Sequence, residues 1–270
     1  MAYNLLKGKK GIIFGALDEK SIAWRTALRC HEEGAQILLT NAPVAMRMGE
    51  INKLAEMVNA PVVACDVSSN EDVSNLLTKA MEHFGSGVDF ILHSIGMSLN
   101  VRKGKHYTEI DYGFNQKTLD ISATSLHRVL ATAMKMDAIN EWGSVVALTY
   151  IAAQRVFPDY NEMADAKSLL ESITRSFGYH YGVKKHVRVN SISQSPTKTT
   201  AGSGVKGFDG FINYAEKMSP LGNASADQCA DYIVSLFSDL TKMVTMQNLF
   251  HDGGFSFTGV TQSVIEQMEK

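Results

Sequence analysis

A tyrosine and a lysine, Tyr160 and Lys167, stand seven residues apart in the sequence. Seven residues span about two turns of an α-helix, so both side chains would lie on one face, with the lysine about 10 Å further along the axis. A phenol can donate a proton, and a nearby ammonium group can lower the phenol's pKa and bind a ribose hydroxyl. The pair suits a reaction in which negative charge develops on a substrate oxygen beside a nicotinamide nucleotide. An isolated pair of this kind also arises by chance on a surface, so the rest of the chain has to decide.

The elements that must position these side chains alternate along the chain. Short apolar runs alternate with longer amphipathic runs, which predicts βαβ units and a parallel sheet covered by helices on both faces. The predicted strands are 11–15, 35–40, 61–67, 88–96, 143–150, 186–193 and 244–252. The predicted main helices are 21–33, 46–59, 70–84, 113–136, 160–182 and 225–240. The expected fold class is α/β: a single doubly wound, Rossmann-type domain over residues 1–270, with a seven-stranded parallel sheet flanked by helices.

Composition sets the broad class. The 270 residues suffice for one such domain, and the net charge of −2 indicates no basic nucleic-acid surface. Three widely spaced cysteines, Cys30, Cys65 and Cys229, predict reduced core thiols in a cytoplasmic protein, not a disulfide framework or a zinc site. We expect no signal peptide, and no apolar run reaches the roughly 18 residues that span a bilayer.

A phosphate site is predicted where the first strand ends. Gly15 allows a tight turn, and free N–H groups at the start of the next helix attract a pyrophosphate. The usual G-x-G-x-x-G pattern is absent, because Ser21 and Ala23 stand where the other glycines would be. This signal alone is equally compatible with a simple strand–helix turn.

Other strand ends supply candidates for the rest of a dinucleotide. After the second strand, at Ala42, the acidic residue that often binds a ribose 2′-hydroxyl is missing and Arg47 follows, so the sequence does not separate NADH from NADPH. Asp66 is placed to meet an adenine amino group, with Val67 beside the ring; the alternative role for Asp66 is capping the next helix. At 94–96 the backbone would pass beneath the second ribose.

Residues 198–218 interrupt the alternation. This stretch holds four glycines among apolar residues and follows the carboxyl end of a strand, where open α/β sheets bind ligands. We predict a mobile substrate-binding lid over an apolar substrate; the alternative is a plain surface connection.

Together these motifs resemble the divergent short-chain dehydrogenase/reductases, and more narrowly the NADH-dependent enoyl-[acyl-carrier-protein] reductases of bacterial type II fatty-acid synthesis. The resemblance covers essentially the whole chain. Its most specific parts are Gly-x5-Ser-Ile-Ala at 15–23, His-Ser-Ile-Gly at 93–96, Tyr-x9-Tyr-x6-Lys at 150–167, Arg-Val-Asn-x-Ile-Ser at 188–193 and His-Asp-Gly-Gly-Phe at 251–255. The ordinary family spaces its tyrosine and lysine by three residues, and the longer spacing singles out the enoyl reductases.

The resemblance implies roles for individual residues. Tyr160 would face the thioester carbonyl, Lys167 the nicotinamide ribose, and Tyr150 occupies the position of a second active-site tyrosine. The implied cofactor-binding residues are Gly15, Ser21, Ile22, Ala42, Asp66, Val67, Ser94, Ile95, Gly96, Lys167, Thr197, Lys198, Thr199, Thr200 and Ala201. The implied substrate-binding residues are Ser98, through its backbone, with Tyr150, Tyr160 and Phe208. No metal is expected.

The implied activity is reduction of the C2–C3 double bond of a trans-2-enoyl-[acyl-carrier-protein] with NADH, NADPH not being excluded. The resemblance further implies acyl carrier protein as the substrate's carrier and a homotetrameric assembly, with no nucleic-acid or membrane partner. The alternatives are another short-chain reductase acting on a carbonyl and a non-catalytic dinucleotide sensor. Tyr181 and Lys185 fit the ordinary Tyr-x3-Lys pattern, but they fall at a predicted helix end, where the active tyrosine is not expected.

Overall fold

The parallel sheet is the frame of the molecule. A computed structural model describes residues 2–200 and 208–269, and there seven strands form one sheet in the order β3-β2-β1-β4-β5-β6-β7. They are β1 Lys10–Phe14, β2 Gln36–Asn41, β3 Val62–Ala64, β4 Val88–His93, β5 Ile139–Thr149, β6 Arg188–Gln194 and β7 Asn248–His251. Each neighbouring pair is parallel. The order reverses between β1 and β4, so the predicted doubly wound Rossmann-type fold is confirmed and a crevice is expected at the carboxyl ends of these two strands.

Helices cover both faces of the sheet. In the described residues they are α1 Ile22–Glu32, α2 Pro43–Met48, α3 Ile51–Val58, α4 Asn70–Phe84, α5 Leu99–Arg102, α6 Tyr112–Leu119, α7 Ser125–Lys135, α8 Glu162–Lys185, α9 Phe208–Met218, α10 Ala226–Phe237 and α11 Gln262–Met268. One core cluster joins the sheet to α4, α7 and α8, and a second joins it to α1, α3 and α10. Burial on both faces explains why the central strands are almost entirely apolar.

Two predicted helices are interrupted. The predicted helix 46–59 is two helices, α2 and α3, because Pro43 starts the first and Gly49 ends it. A Cβ atom at Gly49 would lie 2.6 Å from the carbonyl oxygen of Leu17, so the close approach of two backbones determines the break. The predicted helix 113–136 contains a π-helical turn, Asp120–Thr124, between α6 and α7. An amphipathic pattern does not reveal the widened turn.

The strand boundaries differ mainly at the edges of the sheet. β3 and β7 are shorter than the predicted strands 61–67 and 244–252, because each is an edge strand with one neighbour to hold it. β4 ends at His93, before the turn that follows, and β5 begins four residues earlier than predicted, at Ile139.

The three cysteines are free and buried, as predicted. Burial raises the pKa of each thiol, for Cys65 to about 12. In the described residues, no helix combines the length and apolar character that a bilayer crossing requires.

Candidate active site

The crevice begins where Gly15 brings the ends of β1 and β4 together. Gly15 has a φ of +93°, and a Cβ atom added to it would lie 1.9 Å from the carbonyl oxygen of Ser94. Any side chain is excluded by this contact and by the backbone conformation. The turn leads to Ser21, whose Oγ accepts the Trp24 N–H at 3.2 Å and caps α1. The first N–H groups of a helix have no intrahelical acceptor, so this end of α1 suits an anion.

The segment after β6 lies against this turn. Thr200 Oγ1 donates to the carboxylate of Asp18 at 2.5 Å, and Thr199 N–H donates to the Thr197 carbonyl at 2.7 Å. Lys198 lies 3.9 Å from the exposed carboxylate of Asp209. The structure therefore brings four predicted cofactor residues beside the turn that follows β1. The fifth, Ala201, lies outside the described residues.

The far end of the crevice is more open. Asp66 is exposed, and its Oδ1 accepts the N–H and the Oγ of Ser68 at 2.9 and 2.7 Å. The alternative role of Asp66 as a helix cap is excluded, because Ser69 caps α4. The side chain of Val67 is 7% exposed and packs in the core, which leaves its main chain available for an adenine contact. Ala42 is half-buried and immediately precedes α2.

Lys167 joins α8 to the ends of two strands. Its Nζ donates to the carbonyl of Leu148 at 2.9 Å and lies 3.4 Å from the carbonyl of Ile95. The residue is 7% exposed, and burial lowers the pKa of Lys167 to about 8, against the opposing effect of Glu171 one turn later. A Cβ atom on Gly96 would lie 3.8 Å from Nζ. The ammonium group is therefore fixed beside the Ser94–Gly96 turn, with a third N–H that can serve a ribose hydroxyl.

Tyr160 is not part of the helix, contrary to the prediction. It ends a short 3₁₀ turn, Pro158–Tyr160, and α8 begins at Glu162. The intervening Asn161 has a φ of 52° and a ψ of −143°, which ends the turn before the helix starts. The two side chains are therefore not related by two turns of one helix. Burial raises the pKa of Tyr160, so the phenol carries its proton at neutral pH and can donate it.

An aromatic cluster surrounds the phenol. It consists of Tyr150, Phe157, Tyr160, Phe211 and Phe255. The Tyr150 ring centroid lies 5.3 Å from that of Tyr160, 5.5 Å from that of Phe157 and 5.9 Å from that of Phe211 in α9. The Tyr150 hydroxyl is buried and has no hydrogen-bond partner in the described part of the chain. The side chain of Phe208, a predicted substrate contact, lies outside what is described.

A match to a known family accounts for this combination. The model of the family described as enoyl-(acyl carrier protein) reductase matches residues 15–256. The chain belongs to the enoyl-(acyl carrier protein) reductase family. The predicted resemblance is thereby confirmed.

Individual members of this reductase family match the chain along its length. The NADH-dependent enoyl-[acyl-carrier-protein] reductase of Rickettsia bellii is 33% identical and covers 98% of this chain and 100% of its own. The structure of the FabI–NADH complex from Alistipes finegoldii is 64% identical, with a TM-score of 0.95, over 96% of this chain and 92% of its own. The Aquifex aeolicus enoyl-[acyl-carrier-protein] reductase (NADH) structure is 33% identical, with a TM-score of 0.88, over 95% and 100%.

Two sequence features that do not belong to a reductase site are part of the core. Tyr181 lies inside α8, where its hydroxyl donates to the carbonyl of Leu130 at 3.0 Å. His93 is buried in β4 with Nε2 2.8 Å from Ser125 Oγ, and burial lowers the pKa of His93 to about 3. In the described ranges no group of three or more potential metal ligands comes together.

Two residues that the sequence reasoning missed border the catalytic turn of this reductase. Asn161 and Glu162 are both buried beside Tyr160, and Glu162 accepts a hydrogen bond from Ser98 Oγ at 2.6 Å. Because the Ser98 hydroxyl already bonds to Glu162, a substrate contact would fall to the Ser98 main chain, which is the contact that the resemblance implies. A signal for Glu162 was present: it shares the apolar face of α8 with Ala166 and Leu170, at helical spacing.

Proposed function

We propose that this chain reduces the C2–C3 double bond of a trans-2-enoyl thioester on acyl carrier protein, with NADH, in the last step of type II fatty-acid elongation. The observation that carries the proposal is that Lys167 bonds to carbonyls at the carboxyl ends of β4 and β5, where Tyr150 follows β5 with an unpartnered hydroxyl and a ring in contact with that of Tyr160. Family membership supports the reaction, and the names of the relatives support the substrate and NADH.

The residues at the strand ends fit a dinucleotide. The missing side chain at Gly15 allows the tight turn against Ser94 that leads to the start of α1, where Ser21 and Ile22 would hold a pyrophosphate. Asp66 and the main chain of Val67 would bind the adenine, and Lys167 the nicotinamide ribose. Bound NADH supplies the hydride that reaches C3 of the substrate.

The side chains stabilise the charge that then develops on the thioester oxygen. Tyr160 donates a hydrogen bond or its proton to that oxygen, a contact of a kind that is worth about 3–4 kcal/mol of the barrier. Lys167 orients the ribose and places a positive charge close to the reacting atoms. Tyr150 lines the site with a hydroxyl that has no other described partner. The aromatic cluster keeps water from the reacting atoms, which strengthens both contacts.

We also propose that residues 198–218 act as a substrate-binding lid within a single domain over 1–270. The described part, α9, supports this because Phe211 packs on Phe157, with ring centroids 4.9 Å apart, and so covers the aromatic cluster. Residues 201–207 lie outside the described residues. Lys198, exposed beside α9, has the charge to attract an acidic carrier protein.

A homotetramer in the cytoplasm completes the proposal. The outer face of α8 exposes two apolar side chains one turn apart, Tyr179 at 59% and Val183 at 73%, and this adjacent pair supports assembly through the helix. Reduced, buried cysteines support a cytoplasmic location. Light scattering of the purified chain tests the assembly, and a monomer would contradict it.

The deciding experiment follows nucleotide oxidation with crotonyl-CoA and, separately, with a ketone substrate. We expect oxidation of NADH with the enoyl thioester, and slower oxidation of NADPH. Ketone reduction without enoyl reduction would identify a different short-chain reductase. Tight NADH binding without turnover of either substrate would identify a sensor.

The fit of the nucleotide is tested by Gly15→Ala, with Gly8→Ala as its control. Both glycines have positive φ, at +93° and +77°, but a Cβ atom at Gly8 meets nothing within 4 Å. Strain of about 1–3 kcal/mol is common to both variants, whereas the clash with Ser94 belongs to Gly15 alone. We expect Gly15→Ala to weaken NADH affinity at least about tenfold in a fluorescence titration, and Gly8→Ala to leave it unchanged. Equal affinities would place the pyrophosphate elsewhere.

A further inference from the structure

Glu162 opens α8 two residues after Tyr160, and its side chain is fully buried. Its Oε1 accepts the hydroxyl of Ser98 at 2.6 Å and that of Thr118 at 3.0 Å. Its Oε2 has no hydrogen-bond partner in the described residues. A buried carboxylate is costly unless its hydrogen bonds compensate for the lost water. The positive end of α8 offsets part of this cost, and the unpartnered Oε2 shows that hydrogen bonds do not offset all of the rest.

The turn that Glu162 follows is strained. Asn161, between Tyr160 and Glu162, has a φ of 52° and a ψ of −143°, a backbone conformation that residues other than glycine rarely adopt. Its Oδ1 accepts the Glu162 N–H at 2.9 Å, and its Nδ2 donates to the carbonyl of Lys105 at 2.8 Å. Such a conformation persists only where the surroundings hold it, and strained positions of this kind concentrate at active sites.

Through its hydrogen bond with Ser98, Glu162 is attached to a segment whose own conformation is fixed by hydrogen bonds. Residues 98–111 form a closed segment, because both polar atoms of the Asn100 amide bond to the main chain of Asp111, at 2.9 and 3.1 Å. Ser98 opens this segment and caps α5 by accepting the Val101 N–H at 3.0 Å. The Thr118 hydroxyl is the weaker attachment, because its single proton is shared with a carbonyl in its own helix.

We infer that Glu162 is a positioning residue for Tyr160: it ties the strained Tyr160–Asn161 turn to the 98–111 segment and so fixes where the phenol can donate. This inference rests on the function proposed above. Glu162 is not placed to touch the substrate or the nucleotide, because it has no exposed surface. Its effect is expected in turnover, since a displacement of about 1 Å at a reacting group costs about 100-fold in rate.

The test is a double-mutant cycle on kcat with crotonyl-CoA and NADH. Wild-type activity is measured first, so a failure of the proposed function is seen independently of Glu162. We expect Glu162→Ala to lower kcat about 10- to 100-fold with NADH affinity unchanged. In the Tyr160→Phe background, where no phenol proton remains to be positioned, we expect the same substitution to change kcat less than about twofold. A merely structural role would give equal losses in both backgrounds.

Two further variants and a control sharpen the result. Glu162→Gln keeps the acceptor for Ser98 and should restore kcat to within about threefold of wild type. If Glu162→Ala does not fold, Thr118→Val removes one attachment and should lower kcat by about threefold in the wild-type background only. Asp165→Asn is the matched control, because this exposed residue of the same helical turn accepts a bond from the Tyr107 hydroxyl at 3.2 Å and has no other side-chain partner in the described residues. We expect its kcat to be unchanged. Wild-type kcat in folded Glu162→Ala, or equal losses in the two backgrounds, would overturn the inference.

Discussion

Each end of α8 has a tyrosine and a lysine, and only one of the two pairs suits catalysis. Burial raises the pKa of Tyr160 and of Tyr181 alike, so acidity does not distinguish the two phenols. Their partners do. Tyr181 donates to a main-chain carbonyl, and Lys185 donates to the Asp137 carboxylate at 2.7 Å and to a carbonyl at 2.6 Å.

At the amino end of the helix, the polar groups have hydrogen-bonding capacity that no described residue uses. Lys167 donates to two carbonyls but to no carboxylate among the described residues. The ring of Tyr150 is tilted against that of Tyr160, and the Tyr150 hydroxyl has no described partner. Polar groups that are buried without partners are rare in folded proteins and tend to mark sites where a ligand completes the set. The comparison teaches that hydrogen-bond capacity left open, more than residue type or pKa, separates a reactive pair from a structural one.

The largest contrast is expected between Tyr160→Phe and Tyr181→Phe. The first should lower kcat by about 100- to 1,000-fold with unchanged stability, because it removes one donor to the developing oxyanion. The second should leave kcat within about twofold but lower the free energy of unfolding by about 1–3 kcal/mol, because the carbonyl of Leu130 is left buried and unpaired. Steady-state kinetics and urea unfolding measure both. Comparable losses of kcat would erase the distinction between the two ends.

The lysines should differ next most. We expect Lys167→Ala to lower kcat about 100-fold and also to weaken NADH binding, because the ammonium group orients the ribose. Lys185→Ala removes a bond to an exposed carboxylate and should change neither quantity by more than about twofold. Calorimetric titration with NADH gives the affinities. Unchanged NADH affinity in Lys167→Ala would contradict a ribose contact.

A pH profile tests the charge of Lys167 directly. Its pKa is lowered to about 8, so the ammonium form is present below that pH and is lost as the pH rises through it. We expect kcat/KM for NADH, which reports the free enzyme, to be level below pH 8 and to fall up to about tenfold per pH unit above it. A profile that stays level to pH 10 would show that the positive charge is not required.

The smallest effect is expected at Tyr150. Tyr150→Phe removes a buried hydroxyl without a described partner, so the free energy of unfolding should rise by about 1 kcal/mol. We expect kcat to fall about three- to tenfold, because the Tyr150 hydroxyl assists Tyr160 but is not itself the main donor to the substrate oxygen. Activity and urea unfolding of the same preparation give the pair of values. A variant that loses stability would show that the hydroxyl has a partner in the resting protein.

Much of the frame could be predicted because local patterns and packing agree. The helix at 21–33 was placed within one residue at each end, since Ser21 is a good cap and the apolar spacing is regular. The parallel, doubly wound sheet followed from the alternation of strands and helices. Gly49 and the π-helical turn were missed because each depends on a backbone approach or a widened turn that hydrophobic spacing does not encode.

The sequence predicts which residues form the candidate site but not how they are arranged. Tyr160 and Lys167 were found from their spacing, yet the helical relation between them was wrong because Asn161 takes a positive φ that its sequence neighbours do not require. The side chain of Val67 turned inward because β3 ends at Ala64, and the chain then enters the core before α4. The sequence does not single out Glu162, because an acidic residue at the start of a helix is commonly explained by its favourable interaction with the helix dipole.

The deep placement of all three thiols has a practical use. With Cys30, Cys65 and Cys229 at no more than 1% exposure and their pKa values raised, none reacts readily with maleimides in the native state. A cysteine introduced by Asn213→Cys, at an exposed position of α9, would then carry a fluorophore alone. The wild-type background would thus serve, without further engineering, for optical recording of whether that helix moves during turnover.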